Sequence, residues 1–553
     1  MRVTRYAVPA ALATALATSG CGLLPGTGTD DGGPRRPPAA AAKPGDLTGG
    51  RHYRTGWFGK PENTASFDVH RVERYASYSV LYMDVYTGPG ATSFVGWFGQ
   101  DANSSDFGQF ALLDPVGKKS YSSLRSDTAD GAAFGTRIEN SRHPGIAASI
   151  TPRPGVRYPV QVYFPPVPAG VRQLTVVGPG TLGEMTGIPV LDAGKARAPV
   201  PKANDNSAGQ PAPKRGQAYF YPVHAPAGRI WSQTQDLHDY SEGLAKSTSS
   251  GGGEEKLALR TDVLFAFDQA NLSPKATAVL DAAINETRAK ADPAKPPITI
   301  TGYTDAKGND AYNKKLSERR AAAVQKYISA KLGTTYRYQA TGNGEADPVA
   351  ANTHGDGSDN PAGRAKNRRV EISYKIKHTT PKVATPSSAA PAPGTAGAAA
   401  PFHNGDGPVI GTVTAQDPIT AGQGARLGVH PFYRDGAYMV GVYTLRSFGG
   451  GLSDVGAASD AWWTSNGTIK AMSGASFGGI TAINPATKDR YYEVRAGDFV
   501  DGSAGFVEGA YQISLPGSRD TRIFVYYPAP PANVTEMDVD VAGKGIVRNV
   551  PVR

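Results

Sequence analysis

The sequence predicts a multidomain chain, with a central α/β domain of β-α-β-α-β order, a mixed sheet and helices on one side, flanked by two all-β sandwiches of immunoglobulin-like type. Three observations lead there. Between residues 254 and 378, alternating apolar runs give way to helical periodicity and return. On either side, two blocks of sequence match each other in the same order. Stretches rich in Ala, Pro, Gly and Ser separate the parts. The 553 residues suffice for three domains of ordinary size once a leader is removed.

At the N-terminus, Arg2 and Arg5 precede an alanine-rich apolar run from Ala7 to Ala17 and then Thr18-Ser19-Gly20-Cys21. Residues 1–20 resemble a bacterial lipoprotein signal peptide, which implies cleavage before Cys21 and a palmitate-type lipid anchor on its sulfur. Cys21 is the only cysteine, which suits an anchor better than a redox or metal role. An ordinary secretory signal cut after Ala17 is the alternative, since Thr18 stands where lipoprotein signals usually carry leucine. Residues 21–50 are too rich in Gly, Pro and Ala to bury a core and read as a disordered tether.

The flanking sandwiches are assigned to residues 51–191 and 408–553. Phe107, Gly108, Pro115, Lys118, Tyr121 and Arg125 align at a constant offset of 370 with Phe477, Gly478, Pro485, Lys488, Tyr491 and Arg495. A second block pairs Tyr163-Phe164-Pro165 with Tyr526-Tyr527-Pro528, and both copies close on Pro-Val. Alternating runs such as Tyr78–Val85 and Tyr438–Tyr443, bounded by turn residues, read as strands. Aromatic clusters at Trp57-Phe58, Trp97-Phe98 and Trp462-Trp463 read as core or rim, and the sandwich loops as candidate docking sites for unidentified protein partners. Residues 192–253 read as a linker with some packed aromatic segments, and 379–407 as an Ala/Pro-rich linker.

In the central domain, Ser273 caps a first helix with Pro274 in its first turn, and Gly333 stops the second. Ile298 and Ile300 alternate with threonines in a strand that runs into Gly302-Tyr303-Thr304-Asp305. Arg320 lies four residues from both Leu316 and Val324 and so shares their inward face. A guanidinium there is costly unless an anion meets it, which predicts a carboxylate of the protein or of a ligand beside Arg320.

Five ordered motifs carry a resemblance. They are Val263–Asp268 with its F-x-F-D form, Gly302–Asp305, the run Asn313, Leu316, Ser317, Arg319, Arg320 and Ala321, then Gly342-Asn343-Gly344 with Pro348, and Gly363–Glu371. Together they resemble the OmpA-like peptidoglycan-binding family over roughly residues 256–376. The resemblance implies that Val263–Asp268 is the opening strand. It also implies that Asp305 and Arg320 grip the diaminopimelate of a peptidoglycan stem peptide. A carboxylate suits the ligand's ammonium, and a planar guanidinium takes its carboxylate in a bidentate fork. Asn313, Thr304, Tyr303, Leu316 and Arg369 are the supporting candidates, with Tyr303 standing where the family more often has histidine. From residue types alone, a structural ion pair between Asp305 and Arg320 stays open. So do a purely helical role for Asn313 and a solvated basic edge at Arg364 and Arg368.

The nine histidines are scattered, none in H-x-x-x-H spacing, and no phosphate loop occurs. The expectation is a non-enzymatic protein with no cofactor, no metal and no nucleic-acid partner. It would be lipid-anchored on the outer face of the cytoplasmic membrane, or on an outer membrane if the host has one, and would bind peptidoglycan. The alternative is an adhesion or partner-binding surface protein whose sandwiches act and whose central domain only localises it. The formal charge of +10 suits an anionic wall and is equally a solubility feature.

Overall fold

The computed structural model describes residues 52–58, 60–88, 94, 98, 105–128, 131–139, 141–142, 151–206, 210–377, 397–403, 405–416, 424–448, 479–497, 505–507, 519–541 and 544–553. The signal segment, Cys21, the tether, most of the 379–407 linker, Trp97, Trp462 and Trp463 lie outside the described residues. Among the described residues, no helix is long and apolar enough to cross a membrane.

The chain is β-rich, and its long helices fall in the central domain. There, strand Glu254–Arg260 pairs antiparallel with Arg369–Lys375, and Arg369–Lys375 pairs antiparallel with Ile298–Gly302. Ile298–Gly302 in turn pairs parallel with Tyr338–Gly342. Strict alternation buries Leu257, Leu259, Ile298, Ile300, Val370 and Ile372 on one face. Helix Ala276–Lys290 covers that face with Ala276, Leu280, Ala283 and Ile284, and helix Asp310–Leu332 with Ala321, Val324 and Ile328. Asn309 caps the second helix by accepting from the Tyr312 N–H at 2.8 Å, and Gly333 ends it with φ 78°. The first helix begins at Ala276, beyond Pro274, although Ser273 Oγ still accepts from the Ala276 N–H at 3.2 Å.

The opening strand is not where the F-x-F-D resemblance put it. Thr261–Leu264 is a single helical turn, Phe265 makes an isolated bridge to Leu272, and Asp268 turns through φ 59°. Leu264 and Phe265 are consecutive buried residues, which the two-residue period of a half-buried strand forbids. Phe267 is 98% exposed. The strand that opens the domain is Glu254–Arg260.

The two flanking units have the same strand pairings. In the first, Lys60–Arg74 pairs with Ser79–Thr87, which pairs with Tyr158–Phe164. Ala111–Asp114 pairs with Lys119–Ser122 and with Gln173–Gly178, and Gln173–Gly178 pairs with Gly183–Asp192. In the second, Gly424–Val429, Tyr438–Phe448 and Thr521–Pro528 follow one another in the same way. Ile480–Ile483, Arg490–Tyr491, Glu536–Val541 and Ile546–Pro551 repeat the other set. Lys118 and Lys488, 370 apart, both take left-handed turns, with φ 54° and 62°. Asp114 and Asn484 stabilise those turns by accepting from backbone N–H groups two and three residues on. Trp57, Phe58 and Phe98 are buried.

Residues 192–253 contain four strands, and Tyr219 and Tyr221 lie buried in the first unit's core. Strand Thr234–Glu242 joins everything. Its start pairs with Lys119–Tyr121 of the first unit. Its middle and end pair with Arg495–Ala496 and Arg490–Tyr491 of the second unit. Its other edge pairs with Lys246–Gly251, which continues into the central sheet through Glu254–Arg260.

The two flanking units also meet directly across buried charge. Glu184 accepts a bidentate pair from Arg522 at 2.6 and 2.6 Å and a bond from the Tyr433 hydroxyl at 2.8 Å, with Arg54 at 3.6 Å. Burial alone would raise its pKa, but the Arg522 and Arg54 charges outweigh burial and hold it at about 2. Asp435 is buried, with no cation against it among the described residues. It accepts from the Ala400 N–H at 2.7 Å, the Tyr526 hydroxyl at 2.8 Å and the Thr175 hydroxyl at 2.9 Å, and burial pushes it up to about 6. Because its folded value lies above the ordinary 3.8, its contribution is full below pH 3.8 and is lost as pH rises through about 6. Lowering the pH from about 7.5 to about 5 is expected to stabilise the wild type by about 1.4 kcal/mol through this group. Asp435→Asn is expected to lack that increment in denaturant melts at the two pH values.

Candidate functional site

The site gathers where strand Ile298–Gly302 ends and helix Asp310–Leu332 crosses it. Two glycines permit the approach. A Cβ on Gly302 would meet the Ser317 carbonyl oxygen at 2.2 Å, and one on Gly342 would meet the Glu318 amide nitrogen at 2.2 Å. The helix therefore rests on the backbone of both strand ends, and Ser317 Oγ accepts from the Gly344 N–H at 2.9 Å. Thr304 is pinned by its N–H to the Gly344 carbonyl at 2.7 Å, while its buried hydroxyl has no hydrogen-bond partner.

Asp305 and Arg320 do not pair with each other. The Asp305 carboxylate accepts from Arg368 Nη1 at 2.7 Å, lies 3.5 Å from Arg364 Nε, and accepts from the Lys307 N–H at 3.1 Å. Arg364 and Arg368 are therefore not a solvated edge. Arg364 also binds Asp359, and Arg368 reaches Asp262. The hydrogen bond to Asp262, aided by Asp305, raises the Arg368 pKa above its ordinary value.

Arg320 is buried, and no carboxylate forms an ion pair with it among the described residues. Its Nε donates to the Gln269 carbonyl at 2.9 Å, and its guanidinium lies 5.3 Å from the centre of the Phe265 ring. Its terminal nitrogens donate to nothing among the described residues, and neither is sealed from solvent. Burial lowers its pKa, opposed by the more distant Asp262 and Asp268. An anion arriving at Arg320 would meet a desolvated, half-satisfied fork. An ammonium arriving at Asp305 would share that carboxylate with Arg368.

Asn313 is buried and does more than start a helix. Its amide donates to Glu345 at 2.8 Å and to the Asp305 carbonyl at 3.4 Å, so it holds the loop that carries Asp305. Leu316 is buried on the same face. Arg369 stands apart from the ligand candidates because it is fully engaged. It binds Glu371 at 2.7 Å, the Asp347 carbonyl at 3.0 Å and the Asn367 carbonyl at 3.3 Å. Its guanidinium covers the Tyr303 ring at 3.8 Å. Burial pushes the Tyr303 phenol up to about 12, keeping it neutral. Sequence reasoning missed Gln269, Phe265 and Glu345 as partners, since spacing does not show which loop returns over a helix.

The comparisons with known proteins fall on this part of the chain. The model described as "OmpA family" matches residues 264–361. Residues 264–361 form an OmpA-like domain. The chain is 35% identical over 167 residues to Outer membrane protein A of Escherichia fergusonii, covering 29% of this chain and 59% of that protein. It is 42% identical over 125 residues to a protein named Photosystem I P700 chlorophyll a apoprotein A2 of Gloeobacter violaceus, covering 23% of this chain and 14% of that one. Among solved structures, the cell wall anchor of the T6SS from Pseudomonas aeruginosa is 28% identical with a TM-score of 0.21, covering 24% of this chain and 88% of that one. The chain spans less than two thirds of the length of these curated relatives.

In the OmpA-like domain, Arg369→Ala strands the Glu371 carboxylate and uncovers Tyr303. A loss of about 3–5 kcal/mol is expected in urea unfolding, as for removal of one partner of a buried pair. Arg319→Ala, on the exposed side of the helix, should change stability by less than about 0.5 kcal/mol.

Proposed function

We propose that this chain is a non-enzymatic cell-envelope protein that holds peptidoglycan non-covalently through its OmpA-like domain. The single observation that carries the reading is Arg320. A buried guanidinium whose terminal nitrogens meet no carboxylate among the described residues is costly, and a ligand carboxylate removes that cost. In this reading the carboxylate belongs to the diaminopimelate of a stem peptide. Its neighbouring ammonium shares Asp305 with Arg368, and Thr304 supplies an unpaired hydroxyl beside them. Asn313 and Leu316 shape the pocket, while Tyr303 and Arg369 wall it. The lipid on Cys21 holds the other end at a membrane, and the flanking units, read as immunoglobulin-like sandwiches, space the domain from it.

Co-sedimentation of the full chain with diaminopimelate-type peptidoglycan tests the site. Wild type is expected in the pellet, and Arg320→Ala and Asp305→Ala, each checked for folding by circular dichroism, should bind about tenfold or more weakly. Pelleting of the folded Arg320→Ala protein at wild-type level would sink the reading. For the anchor, Cys21→Ser is expected to move the protein from the membrane to the soluble fraction of host cells. Its retention with the membrane would place the attachment elsewhere.

A further inference from the structure

The face of the central sheet turned away from the helices does not lie open. Tyr240 and Glu242, on the strand Thr234–Glu242 that extends this sheet through Lys246–Gly251, and Tyr492 of the second flanking unit border a cleft of about 970 Å³ on it. Its far wall is the loop at 347–351 and the helix Pro361–Asn367, and its floor carries Ser249, Lys256 and Ala258. Tyr240, Glu242 and Tyr492 lie outside the matched OmpA region, so this cleft belongs to the architecture of this chain.

The chemistry of the lining is specific. Most of its ions are already paired. Glu242 takes Arg260 at 2.5 Å and Lys366 at 3.2 Å, and Glu371 takes Arg369 at 2.7 Å. The side chains of Lys256 and Asp347, of opposite sign, form no ion pair among the described residues. Between these ions lie Ser247, Ser249 and Asn360, interleaved with the small apolar surfaces of Ala258, Pro348 and Ala362. A strongly charged ligand would have to break ion pairs to enter. A neutral ligand with many hydroxyls and amides and small methyl groups would find a match for each.

The cleft is also adjacent to the stem-peptide site. Tyr303 and Arg369 line it, and Tyr303 is two residues from Asp305, a span of at most roughly 7 Å. Gly363, also in the lining, directly precedes Arg364 beside Asp305. In peptidoglycan, two residues separate diaminopimelate from the N-acetylated sugar, roughly 10 Å when extended.

Resting on the peptidoglycan reading above, we propose that this cleft binds the N-acetylated glycan strand of the same polymer whose stem peptide occupies the Asp305–Arg320 site. One ligand then engages two connected subsites, and the sugar adds to the affinity of the peptide.

The test is calorimetry on the full chain with two soluble probes. One is a diaminopimelate tripeptide, and the other is the same tripeptide on its N-acetylglucosamine–N-acetylmuramic acid disaccharide. The disaccharide form is expected to bind about tenfold tighter. Ser249→Trp, which fills the floor, and Ala362→Trp, which fills the wall, should each erase that gain while leaving the affinity for the bare tripeptide unchanged. Two variants on separate elements guard against one of them misfolding. Equal binding of the two probes by wild type, or a gain that survives both folded variants, would overturn the glycan subsite and leave the anchor reading standing. Binding of neither probe would overturn both.

Discussion

The strand Thr234–Glu242 is the constraint on which the rest of the arrangement depends. A strand has two hydrogen-bonding edges, and this one divides them among three folded units. Backbone ladders are directional and close-ranged, so the shared strand fixes the three bodies to one another far more tightly than side-chain contact would. Side chains reinforce it. Lys118 in the first unit's left-handed turn donates to Asp239 at 2.5 Å and to Ser250 at 2.8 Å, and lies 5.8 Å from the Tyr438 ring of the second unit. The positive φ of Lys118 is held by the Asp114 turn, as that of Lys488 is by Asn484.

The second tie between the flanking units is of a different kind. Glu184 is compensated by two guanidiniums and a phenol, so its charge is stable where water is absent. Asp435 has three neutral donors and no cation among the described residues, so burial dominates and its proton is held more firmly. Two carboxylates in one interface thus meet opposite fates, decided by whether a guanidinium faces them. The first tie favours neutral pH and the second favours mild acid.

Much of the central domain was legible in the sequence. The alternation at Ile298 and Ile300, the stop at Gly333 and the inward placement of Arg320 follow from local periodicity and turn chemistry. The repeat offset placed Lys118 and Lys488 in matching turns because both follow an Asx residue that accepts from the next backbone N–H groups. What escaped was set by long-range contact. Val263–Asp268 resembles the family's opening strand, yet its two buried residues are neighbours, and only the position of the helix above decides that. The alternative of an Asp305–Arg320 ion pair was indistinguishable in sequence from the observed arrangement, since Arg368 and Arg364 return to Asp305 from about 60 residues away. Strand Thr234–Glu242 was hidden because its polar sequence pairs on both edges rather than burying a face, so it carries little apolar alternation.

The site and the scaffold are then parts of one argument. In the OmpA-like domain alone, Arg320 offers a single strong contact, and a single charge-assisted contact with a small zwitterion yields modest affinity. A wall anchor must resist removal, and cheap gains come from a second contact on the same polymer, provided the two are rigidly spaced. The shared strand supplies that rigidity. It places Tyr240 and Glu242 at the edge of the cleft, and its pairing with Arg490–Tyr491 brings Tyr492 beside them. The cleft takes its lining from the central domain, the shared strand and Tyr492 of the second flanking unit, and it includes Tyr303 and Arg369. On the peptidoglycan reading proposed above, the second flanking unit would serve the central domain as part of its binding surface.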